Sequence, residues 1–152
     1  DSRYLIESDR DPLALVELFD PERKLRPVYF HRLGEVGALH RARVGILAGT
    51  DTPGGFTLHE ELALLVESGL TPLAALQAAT LNPARYLGLE AETGTLAPGK
   101  SADIILLDGN PLDDIANTRM ISDVFLNGTH LDRHALDRML AQVERDAGAS
   151  GE

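Results

Sequence analysis

Hydrophobic and polar positions follow two regimes along this chain. Leu58, Leu62, Leu65 and Val66 recur at the spacing of one face of an α-helix. Thr57, three residues ahead of Glu60, has the form of a capping box that opens this helix, and Gly69 is a natural stop. Thr71-Pro72 repeats the logic with a cap followed by proline at the first helical position, predicting a helix to about Thr80. Asn82-Pro83 opens a shorter helix that Gly88 closes. Further upstream, Leu33, Val36, Gly37 and the apolar positions from Leu39 to Ala42 predict a helix of about three turns over residues 31–43. Between these helices, Val44-Gly45-Ile46-Leu47-Ala48 is apolar without alternation, the pattern of a strand buried on both faces of a parallel α/β sheet. Residues 1–30, interrupted by Pro12, Pro21 and Pro27, read as loop with one short helix over residues 13–19.

Past Gly88 the period shortens. Ile104-Ile105-Leu106-Leu107 reads as a strand after a turn at Pro98-Gly99. Val124-Phe125-Leu126, Asn127-Gly128 and Thr129-His130-Leu131 read as a hairpin with the dipeptide that favours a type I′ turn. Leu136, Met139, Leu140 and Val143 mark a last amphipathic helix that leads into a Gly/Ser tail. The pattern divides the chain into residues 1–88, the last part of a barrel wall; residues 89–131, a small β unit; and residues 132–152, a helix and frayed end.

Composition narrows the function. With 152 residues, 43% of them hydrophobic, the chain is globular, yet too short for a complete (β/α)₈ barrel of ~250 residues. A formal net charge of −10 repels phosphate backbones and anionic lipid, which argues against nucleic acid and membrane as partners. The absence of cysteine removes disulfides, thiolate metal sites and a cysteine nucleophile. The chain opens on Asp1 rather than methionine, which marks it as processed or as a piece of a longer protein; any signal peptide would then precede it, and the cytoplasm is the favoured compartment.

Two motifs invite chemistry and fail on context. Residues 94–101, Gly-Thr-Leu-Ala-Pro-Gly-Lys-Ser, match the phosphate-cradling P-loop string, with Asp108 placed like the end of a second nucleotide-binding strand. That loop needs a hydrophobic strand before it and a helix after it, whose amide dipoles converge on phosphate. Here an acidic stretch precedes the string and a strand follows. His59-Glu60 begins a zinc-helix pattern, but Ala63 stands where the second histidine belongs. Packing or surface roles suit His31, His40, His130 and His134 better than ligation. Asp51 is different, because it follows an apolar strand and precedes a glycine-rich loop, where a barrel gathers its catalytic groups. A carboxylate there either binds a cation or substrate, or caps a turn.

An ordered series of motifs decides between these alternatives. Gly49-Thr50-Asp51, Leu58-His59-Glu60-Glu61-Leu62, Gly69-Leu70-Thr71-Pro72 and Ala78-Ala79-Thr80-Leu81-Asn82-Pro83-Ala84 come first. Gly94-Thr95-Leu96, Pro98-Gly99-Lys100, Ala102-Asp103 and Asp108-Gly109-Asn110-Pro111-Leu112 follow. Over roughly residues 31–131 the series resembles the C-terminal portion of the amidohydrolase superfamily, in the branch related to imidazolonepropionase and Xaa-Pro dipeptidase. The resemblance also accounts for the P-loop look-alike, since the family enters its small β domain through such a string.

The resemblance implies an α/β fold, the C-terminal part of a (β/α)₈ TIM-barrel metal-dependent hydrolase plus the C-terminal strands of a small β-sandwich. It implies that Asp51 binds the catalytic metal and moves protons, and that His59 borders the substrate pocket from the first helical turn. Thr52, Gly54 and Gly55 would shape the pocket floor, while Lys100 and Asp103 would order the β-domain turn. The implied cofactor is a divalent metal, zinc first, as one or two ions with most ligands upstream of this chain. The implied partners are a small-molecule amide or peptide substrate and the remainder of the barrel before residue 1, with homo-oligomerisation left open. The implied reaction is hydrolysis of a C–N bond of an amide, dipeptide or cyclic amide by metal-activated water, and the piece alone would be inactive. The alternatives are a non-catalytic fragment or degenerate paralogue with an assembly role, and a P-loop nucleotide binder.

Overall fold

The computed structural model describes residues 26–50 and 57–149; the helix expected over residues 13–19 and the loop at 51–56 lie outside them. Among the described residues the order is α1 (Arg26–Arg41), α2 (Thr57–Glu67), α3 (Pro72–Ala79), α4 (Leu81–Tyr86), β1 (Ile104–Leu107), a 3₁₀ helix (Ile115–Arg119), β2 (Ile121–Leu126), β3 (Thr129–Leu131) and α5 (Arg133–Ala149). The class is α/β with a small antiparallel sheet.

Local chemistry explains most helix boundaries. Thr71 Oγ1 accepts a hydrogen bond from the Ala74 amide at 3.1 Å, capping α3, and Pro72 follows where its missing N–H costs nothing. Gly69 and Gly88 end α2 and α4 at positive φ, with paired closing bonds from Gly69 N to Val66 O and Leu70 N to Leu65 O, and from Gly88 N to Arg85 O and Leu89 N to Ala84 O. The same arrangement ends α1, where Arg43 N bonds His40 O and Val44 N bonds Leu39 O. There an arginine, at φ 63°, occupies the left-handed position that glycine usually takes. α1 also begins earlier than expected, at Arg26 rather than His31. Pro27 sits in its first turn, where a proline is tolerated because those amides have no intrahelical acceptor.

The strand expected at residues 44–48 is corrected by the structure. No ladder forms there, and the segment is covered on one face instead of two. Val44 and Leu47 are 48% and 42% exposed, whereas Ile46 and Ala48 pack on the core. Cover on both faces and a parallel ladder require strand neighbours, and no strand among the described residues lies beside this segment.

The sheet is a β1–β2–β3 meander, with Ile104 opposite Phe125 and Val124 opposite Leu131. Asn127 and Gly128 both take positive φ (50° and 77°), as a type I′ turn demands, and the hairpin falls where expected. Leu62, Leu65, Leu70, Ala75 and Ala78 form the core with Ile115 of the 3₁₀ helix, so the β1–β2 connection docks onto α2. Gly37 of α1 lies so close to α2 that a Cβ there would sit 2.0 Å from the Ser68 carbonyl oxygen.

Candidate active site

Asp51, with Thr52, Gly54 and Gly55, falls outside the described residues, but both flanks of that segment are within them. On the leading side, the Ala48 amide donates to the Ala78 carbonyl at 2.9 Å. Asn82 Nδ2 donates to the Ile46 carbonyl at 3.0 Å. The backbone entering Asp51 is therefore fixed to α3 and α4 by hydrogen bonds that replace a strand ladder. Sequence reasoning took Asn82 only as the opening of a helix. Its place in an Asn-Pro pair, with a side-chain donor free in a first turn, is the signal that points to this second role.

On the trailing side, the first turn of α2 is tied to the 3₁₀ helix. His59 Nδ1 lies 3.0 Å from Thr118 Oγ1, and that hydroxyl donates to the Ile115 carbonyl at 2.8 Å. Next to this pair, Glu60 Oε1 faces Arg119 Nη2 at 3.7 Å, an ion pair without a hydrogen bond. Burial lowers the His59 pKa below the ordinary 6.5, the Arg119 charge lowers it further, and Glu60 opposes both. The imidazole is therefore neutral at neutral pH, with its Nδ1 edge turned to the β unit.

The P-loop look-alike holds no phosphate cradle. Lys100 Nζ donates to the carbonyls of Glu90 (2.5 Å) and Thr93 (3.2 Å) and to Thr95 Oγ1 (2.6 Å). An ammonium carries three protons, and the loop itself takes all of them. The next element is β1, so no helix N-terminus faces the loop. Asp103 also serves the fold, since its Oδ1 accepts the Asn127 amide at 2.7 Å and fixes the hairpin turn.

The other histidines are dispersed. His31 lies 3.4 Å from Glu35 on the exposed side of α1, and His130 bonds Asp123 at 2.7 Å while stacking on Phe125. The bonds from His130 and then Ser122 hold the Asp123 carboxyl below its ordinary range. Among the described residues no group of three or more His, Asp or Glu side chains is arranged to hold a metal ion, so these residues alone do not make a metal centre. A cleft of about 280 Å³ opens at the Val44 end of the 44–48 segment, lined by His40, Arg43, Ile46, Gln77 and Asn82.

Residues 32–131 match the model of the amidohydrolase family. Ochratoxinase from Aspergillus niger is 47% identical over 77 residues, 49% of this chain and 16% of its own length. Adenine deaminase from Methanothrix thermoacetophila is 54% identical over 44 residues, 29% of this chain and 8% of its own. Among solved structures, a Xaa-Pro dipeptidase with bound methionine superposes with a TM-score of 0.62 and 29% identity, over 66% of this chain and 25% of that one. Phenylurea hydrolase B superposes with a TM-score of 0.59 and 33% identity, over 66% and 26%. The chain thus spans between 8% and 26% of the length of these relatives.

Proposed function

This chain belongs to the amidohydrolase family, and from that premise we propose that it is the C-terminal part of a metal-dependent hydrolase that cleaves a C–N bond of an amide, dipeptide or cyclic amide. Residues 1–88 close a (β/α)₈ barrel, residues 89–131 contribute to a small β domain, and residues 132–152 end it with a helix. What supports the reading is the bracing of both flanks of the Asp51 segment, by Ala78 and Asn82 on one side and by Thr118 on the other. A carboxylate that handles protons needs a fixed backbone to hold it within reach of the reacting atoms.

Asp51 takes a proton from the attacking water and returns it to the leaving nitrogen, and His59 borders the substrate mouth. Asp51 would also be one ligand of a divalent cation, zinc first, which when bound supplies an activated water at neutral pH. As the family resemblance implies, most of the remaining ligands would come from chain that precedes residue 1; among the described residues no ligand set is assembled.

The test uses the whole polypeptide that carries this chain, assayed with a Xaa-Pro dipeptide, adenine and a phenylurea, the compounds for which its relatives are named. Asp51→Asn is expected to cut turnover by about 10³-fold or more with the fold intact by circular dichroism. Undiminished turnover in that variant rejects the role given to Asp51, and no turnover of any of the three compounds by the unaltered polypeptide favours a non-catalytic role.

A further inference from the structure

Beyond the carboxylate, the junction between α2 and the 3₁₀ helix carries a more specific inference. Thr118 Oγ1 is 2.8 Å from the Ile115 carbonyl oxygen and 3.0 Å from His59 Nδ1. Two oxygens at that separation need a proton between them, and a carbonyl has none to give. The single hydroxyl proton of Thr118 therefore belongs to the Ile115 bond. Toward His59 the hydroxyl can then only accept, so the proton of the neutral ring sits on Nδ1 and Nε2 carries the lone pair.

We propose that Thr118 is a positioning residue that fixes the tautomer and rotamer of His59 and thereby locks the first turn of α2 onto the β unit. The lock lies in a partly buried site, where Thr118 is 7% exposed, and it is continuous with the apolar contact of Ile115 on Leu62 and Leu65. The Glu60–Arg119 pair stands beside it, one residue along on both elements. Glu60, on the same helix, and Arg119, on the facing element, are the charged groups that act on the ring, and they do so in opposite directions. α2 begins at Thr57, six residues after Asp51, so the lock fixes the first described element on the C-terminal side of that carboxylate. The catalytic consequence rests on the hydrolase reading above; the tautomer does not.

Two experiments separate these layers. In imidazole ¹⁵N spectra of the whole polypeptide near neutral pH, His59 is expected to show a protonated Nδ1 and a bare Nε2; the opposite tautomer overturns the proposal whether or not a substrate is in hand. In turnover assays with the three compounds named above, Thr118→Val is expected to lower kcat about tenfold with KM changed less than about twofold, and Thr118→Ser to restore kcat to within about threefold. His59→Asn, whose amide reproduces the Nδ1 donor, is expected to lose less of kcat than His59→Gln, which reproduces Nε2. The reverse order, or equal loss in both, overturns the positioning role. Should Thr118→Val fail to fold, the serine variant and the Asn/Gln pair decide it. Should the unaltered polypeptide turn over none of the three compounds, the hydrolase reading falls and the tautomer result still stands.

Discussion

The helical layer and the β unit reach defined geometry by different physical means. In the helical layer, burial does it: Ala75 and Ala78 are fully buried, and Leu62 and Leu65 are 4% and 5% exposed. In the sheet, Ile105 is 57% and Leu126 55% exposed, so little apolar area is removed from water there. Its order comes from turns and from side chains that bond the backbone. Lys100 gathers three oxygens of its loop, Asp103 holds Asn127, and Asn110 and Asn117 close the β1–β2 connection by bonding Leu112 N and Asn110 O. Burial is non-directional and rewards good volume, whereas hydrogen bonds fix angles at individual atoms. The two regimes meet where the 3₁₀ helix offers Ile115 to the core and Thr118 to His59.

This contrast breaks most visibly under truncation. Leu65→Ala, in the buried layer, is expected to cost about 3 kcal/mol in urea denaturation, while Ile105→Ala, in the sheet, stays within about 0.5 kcal/mol. Equal losses would mean that the sheet is also held by burial. Lys100→Met is expected to cost about 1 kcal/mol by the same measurement, because it leaves loop carbonyls short of donors. It should leave calorimetric titration with ATP as flat as in the unaltered protein; ATP binding that the substitution abolishes would restore the phosphate reading.

The smallest effect is the pH dependence of the junction. The folded-state pKa of His59 is below 6.5, so the unfolded chain takes up a proton that the folded chain refuses. Its contribution is fully present above pH 6.5, is lost as pH falls through 6.5 toward the lowered folded value, and is constant below that. Melting temperatures of the unaltered protein and of His59→Asn should therefore converge between about pH 7.5 and about pH 5. A constant offset between the two would contradict the shift and its burial origin.

How much of this was legible in advance depended on the range of the forces concerned. Helix α3 was readable from its Thr71 cap, α2 and α4 from their glycine stops and the hairpin from Asn127-Gly128, because these signals act within a few positions; α4, however, begins at Leu81 behind Thr80, which makes no side-chain cap bond, and not at Asn82-Pro83. The rejection of the phosphate loop was readable for the same reason, since an acidic stretch before it and a strand after it are local facts. The 44–48 segment forms no ladder among the described residues, because cover on one face or two is a property of its neighbours and not of its own apolar run. The 3₁₀ helix was missed, since a single turn behind Asp114 gains its reason to form from docking Ile115 on α2. At the candidate site, Asp51 and His59 were singled out by type and by motif, and of the two only His59 lies within the described residues. That His59 meets a threonine fifty-nine residues away, and Asn82 the carbonyl of Ile46, was decided only in three dimensions. Local chemistry settles which elements form, and long-range pairing settles which atoms meet, because the entropy of closing those loops is overcome only when the whole surface packs at once.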